Sequence, residues 1–88
     1  MPVICASIPF DDLWPADEDM RNRNAVMKAL TDNGVGHCLE SGAGCGLMEF
    51  CFEVADEARG RVAFQSLLEA HFPGRGFRFY VEEVEDGG

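Results

Sequence analysis

Between Leu47 and Val54 the residues Met48, Phe50, Phe52 and Val54 are apolar at every second position, while Leu47, Glu49, Cys51 and Glu53 between them are mixed. A period of two, with one greasy face and one partly charged face, describes a strand that packs only one of its sides. The period recurs in Val3 to Phe10, where Ile4, Ala6 and Ile8 oppose Val3, Cys5 and Ser7, and again where Phe77, Phe79 and Val81 oppose Arg78, Tyr80 and Glu82. In the intervening stretches the spacing changes to that of a helix. Met20, Arg23, Val26, Met27 and Leu30 recur at helical spacing, and Phe64, Leu67, Leu68 and His71 give a second such stretch its apolar stripe. Strands with one buried face alternating with amphipathic helices predict an α+β domain.

Local signals place the boundaries. Asp17 is the expected N-cap of the first helix, with Glu18 and Asp19 in the turn where the helix dipole favours anions. Asn33-Gly34 closes that helix. Val35 to Glu40 reads as a short strand and Ser41 to Gly46 as a glycine-rich turn; Asp56 caps the second helix and Pro73-Gly74 stops it. The order is βαββαβ. Right-handed crossovers place the third strand between the first and second, giving an antiparallel sheet of order 4-1-3-2 with both helices on one face. Over nearly the whole chain this resembles the ferredoxin-like fold, with residues 1–86 as a single domain and 87–88 as a flexible tail. That resemblance implies an architecture that hosts many activities, and no particular one of them.

Seven Lys and Arg against sixteen Asp and Glu leave a net charge of −9 in 88 residues, which opposes a nucleic-acid backbone. The acids are spread along the chain. Pro2 to Phe10 lacks the basic flank of a signal sequence, and no run approaches the length of a membrane span, so neither nucleic acid nor membrane is an expected partner and a cytoplasmic location is expected. Cys5, Cys38, Cys45 and Cys51 are then expected as reduced thiols.

Missing signatures narrow the function. The first and third strands offer no aromatic platform for stacking bases, the Pro9 to Asp19 connection has no arginine for a phosphate, and the chain has no C-x-x-C pair. No dyad for nucleophilic catalysis follows from the spacing of His37 and His71, which argues against an enzyme, and no cofactor or metal is expected. The Gly87-Gly88 ending resembles that of ubiquitin-like carriers, whose strand order differs from two β-α-β units.

Three places remain as candidate binding regions. The connection carrying Phe10, Asp11, Asp12 and Trp14 joins aromatic anchors to carboxylates. The uncovered sheet face carries Glu49, Cys51 and Tyr80 beside Val3, Cys5 and Leu47, too apolar a mixture to be wetted comfortably. In a hairpin whose paired residue numbers sum to 89, Cys38 faces Cys51 and Leu39 faces Phe50 in the core. Three thiols then share a patch with Cys5, a set that zinc or a redox reaction could use. The glycine-rich turn could meet an anion or a partner. The expected function is a small acidic binding module, sensing a small ligand or self-associating as a homodimer through its open face. The alternatives are an acidic inhibitor or immunity-type protein that neutralises a basic partner, and a small dimeric enzyme or thiol site built on the cysteines.

Overall fold

The computed structural model of the chain describes residues 2–11, 16–44 and 46–83. Its elements are β1 (Pro2–Pro9), α1 (Asp17–Asp32), β2 (Gly36–Gly44), β3 (Leu47–Val54), α2 (Glu57–His71) and β4 (Arg78–Glu83). The strands make one antiparallel sheet in the order β2-β3-β1-β4, whose neighbours read 4-1-3-2 from the opposite edge. Ile4, Ala6 and Ile8 of β1 and Met48, Phe50, Phe52 and Val54 of β3 join Val26 and Leu30 of α1 and Phe64 and Leu68 of α2 in one buried cluster. Both helices therefore cover the same sheet face. Phe64 holds this layer together, with ring centroids 5.6 Å from Phe50, 6.1 Å from Phe52 and 6.0 Å from Phe79.

The helix ends differ from expectation at one point. Asp17 is the first residue of α1 rather than its cap; Ala16 holds the cap position in extended conformation, with no side-chain hydrogen bond, and its carbonyl accepts from the Met20 N–H at 3.1 Å. Asp17, Glu18 and Asp19 still lie in the first turn, where they complement the dipole. At the other end the Gly34 N–H donates to Thr31 and the Val35 N–H to Leu30, closing the helix in a Schellman motif with Gly34 at φ +68°. Helix α2 is capped as expected: an Asp56 side-chain oxygen accepts from the Arg59 N–H at 3.0 Å.

Strand β2 departs furthest from the sequence reading. Ser41 to Gly44 continue the strand instead of turning, so β2 ends only three residues before β3 begins at Leu47, with Gly46 at φ +82°. The short connection suits the twist of an antiparallel pair better than a wider glycine loop. It also changes the register, and the expected pairs Cys38 with Cys51 and Leu39 with Phe50 do not form. Glu40 faces Cys51 and Ser41 faces Phe50; a bulge at Leu39 then absorbs one residue, so that Cys38 faces Phe52 and His37 faces Glu53. Leu39, expected in the core, is 50% exposed. The bulge also sets Gly36 against Val54, where an added Cβ would stand 2.1 Å from the Glu53 carbonyl oxygen; only glycine fits there.

Two arginines fasten the frame. Arg23 of α1 is buried and donates from Nη1 to the Gly42 carbonyl at 3.2 Å, bracing β2 from behind. Arg75, in the loop after α2, donates to both Asp19 carboxylate oxygens at 2.9 Å and to the Pro9 carbonyl at 3.0 Å.

Candidate functional site

The face opposite the helices is read most simply as cross-strand rows running from β2 to β4. Register fixes them: His37, Glu53, Val3 and Glu82; then Glu40, Cys51, Cys5 and Tyr80; then Gly42, Glu49, Ser7 and Arg78; and finally Gly44, Leu47 and Pro9. Glutamates thus stand in each of the first three rows. Glu40, Glu49, Glu53 and Glu82 are answered on this face by Arg78, and by His37 when protonated, whose Nε2 lies 3.6 Å from Glu53. The like charges are spaced by strand geometry. Neighbouring strands stand about 4.8 Å apart and alternate residues about 7 Å apart, inside one Debye length at physiological salt.

The apolar content of the face is more hidden than its composition implies. Val3 and Cys5 are each 4% exposed and Cys51 is 9% exposed, although no helix covers them. Their neighbours on this face include the longer side chains of Glu40, Glu53, Tyr80 and Glu82, a kind of side chain that can cover apolar surface with its stem. Tyr80, at 54% exposed, and Leu47 are the large apolar side chains that this face offers to solvent.

Cys5 and Cys51 occupy the middle of the second row with their Cα atoms 4.1 Å apart, and their sulfurs are bonded as a disulfide. This corrects the expectation of reduced thiols for that pair. Directly opposite residues on antiparallel strands bring their Cβ atoms within bonding reach of two sulfurs. The three-thiol patch is not formed. The bulge turns Cys38 to the other side of β2, opposite Phe52 and within the field of Arg23, where it is an exposed free thiol. Desolvation raises its pKa above the ordinary cysteine value, against the opposing pull of Arg23. Cys45 lies outside the described residues. Among the described residues no group of three His, Cys, Asp or Glu is placed to hold a metal ion.

Beside the disulfide the face is hollow. A concavity of about 490 Å³ is lined by Glu40, Gly42, Gly44, Leu47, Glu49 and Cys51. The two glycines make it: between Glu40 and the connection to β3, β2 carries no side chain on this face, so carboxylates stand on either side of an open floor with Leu47 at one end. Glu40 was not singled out from sequence: the expected register also put it on this face, but the hollow beside it lies among residues read as a turn.

The remaining candidates separate. Phe10 is buried at the end of the core and its N–H donates to the Gly46 carbonyl at 2.9 Å, so it caps the core and is not available to a ligand. Asp11 is exposed; Asp12 and Trp14 lie outside the described residues. Asp19 of the same connection is committed to Arg75, whose hydrogen bonds hold its carboxyl below the usual carboxylate pKa. A second concavity, about 540 Å³, lies on the helix layer between Val35 and the α2 residues Ala58, Val62 and Leu67. Among the described residues no helix is long and apolar enough to cross a membrane. No protein-family model matches the chain, and no curated protein matches its sequence.

Proposed function

We propose that this domain, in a ferredoxin-like arrangement, is a non-enzymatic interaction module whose open sheet face docks a basic protein. The observation that carries this reading is the charge of that face: four glutamates spread over three rows, with Arg78 as the fixed cation among them, around an exposed tyrosine and a carboxylate-flanked hollow. A partner's lysine or arginine fits such a hollow. Its methylenes lie along Leu47 and its charged head between Glu40 and Glu49. The net charge of −9 adds long-range attraction, which raises the association rate at low salt.

Self-association was the simplest use of an apolar open face, but Val3, Cys5 and Cys51 are screened and a second copy would bring four more glutamates against the first four. Like charges set face to face disfavour the pairing. The charge of the surface therefore favours a foreign, cationic partner over a homodimer.

A concrete test uses an oligoarginine peptide as the probe and charge reversal on each layer. Binding is expected to weaken steeply with added salt, to be lost in the Glu49→Lys/Glu53→Lys variant, and to survive Glu69→Lys on the exposed side of α2. Equal loss from both variants would reduce the effect to net charge. A salt-independent dimer that buries Tyr80, seen by sedimentation and by tyrosine solvent accessibility, would restore the homodimer.

A further inference from the structure

The docking face has a covalent bond at its centre. We propose that Cys5–Cys51 is a reversible redox switch of this face: a dithiol reductant opens it without unfolding the domain, and opening weakens the grip on a cationic partner by engaging Glu40. The effect on binding rests on the docking reading above, whereas the reversible opening of the bond stands apart from it.

The sheet does not depend on the bond for its assembly. Strands β1 and β3 pair from Val3 with Glu53 to Pro9 with Leu47, and the buried cluster under the helices lies wholly on the opposite face. The outer cross-strand neighbours of the pair are exposed side chains, Tyr80 beside Cys5 and Glu40 beside Cys51. Rotamer movement of exposed side chains is fast and local, so a reductant reaches the bond without opening the core.

Glu40 links the bond to the hollow. Its Oε1 lies 3.8 Å from the Cys51 sulfur. A disulfide sulfur carries no proton, so in the bonded state this carboxylate has both oxygens free for a partner's cation. In the reduced state Cys51 bears an S–H at hydrogen-bonding reach of the same oxygen. An ordinary free thiol is mostly protonated at neutral pH, so a reduced cysteine at this position is able to act as the donor.

The exchange balances with a dithiol alone. One thiolate of the reductant bonds to the Cys51 sulfur, the more exposed of the pair; the Cys5–Cys51 bond breaks, and Cys5 leaves with the electron pair and takes a proton. The reductant's second thiolate then attacks its own sulfur in the mixed disulfide, and Cys51 departs and is protonated. Two electrons and two protons pass to the protein, and the dithiol becomes a disulfide.

The test compares the full chain, oxidised and after dithiothreitol, at one low salt concentration. Alkylation mapped to Cys5 and Cys51, far-ultraviolet circular dichroism and the Kd for the oligoarginine peptide are read on the same samples. Reduction is expected to make both cysteines alkylatable with the dichroism unchanged and to raise Kd about three- to tenfold, the size of one ordinary net hydrogen bond, as suits a weak S–H donor. Glu40→Gln is expected to keep the disulfide yet bind alike in both redox states. Loss of the dichroism on reduction would make the bond a structural staple and sink the proposal. So would failure of dithiothreitol to open it in the folded protein, or an unchanged Kd. A peptide that binds neither form rejects the docking reading and the binding half of the switch, and alkylation with dichroism still decides whether the bond opens reversibly.

Discussion

Arg75 reaches three parts of the chain with one side chain: its own loop after α2, the first turn of α1 through Asp19, and the end of β1 through the Pro9 carbonyl. A planar guanidinium on both oxygens of a carboxylate is among the stronger ion-pair geometries, and Asp19 is the more enclosed partner. Asp19→Asn is expected to cost about 1–2 kcal/mol at pH 7, discounted for the exposed side of Arg75. The sign with pH follows from the lowered pKa of Asp19. A carboxyl that ionises more readily folded than unfolded stabilises above its unfolded pKa of about 3.9, and that contribution is lost as pH falls through the folded value. Urea titrations of both proteins should therefore show a gap that is constant near neutrality and closes in acid; a gap that persisted at the lowest pH would assign the effect to shape instead of charge.

Elements show how local signals are honoured or overruled. Asp56 was legible as a cap because an acid three residues before a free N–H needs no information from elsewhere in the chain. Asp56→Ala should lower stability by about 1 kcal/mol, and Ala16→Ser should raise it by about 0.5–1 kcal/mol, since α1 has a vacant side-chain position at its cap. Opposite shifts in thermal midpoint would check both. The alternation in β1, β3 and β4 was equally legible, because a one-sided core imposes it residue by residue. β2 was not. Its register depends on the short connection to β3 and on the bulge, and a single inserted residue flips every side chain beyond it. That is why Cys38 lies on the face opposite to the one expected, why Leu39 is exposed, and why the hollow was hidden among residues read as a turn. Leu39→Ala measures the difference directly. A core leucine would cost about 2–5 kcal/mol, whereas this exposed, bulged leucine should cost less than about 1 kcal/mol by chemical denaturation.

At the scale of the molecule, sixteen acids against seven bases make the folded state repel itself. Screening shortens the reach of that repulsion to about 10 Å at 0.1 M salt. Moderate potassium chloride should then raise the thermal midpoint by a few degrees, read by calorimetry, even as it weakens the grip on a cationic peptide. A midpoint that fell with salt would mean that attractive pairs such as Arg75 with Asp19 outweigh the surplus.

The bulge at Leu39 has one more effect. β2 is an edge strand of nine residues, and an unbroken edge of that length is a template on which other chains can add strands and grow into insoluble fibres. The extra residue interrupts the row of outward amides and carbonyls, and Glu40 follows it immediately with a charge. The same irregularity that turns Cys38 away from the docking face thus also works against strand addition along that edge.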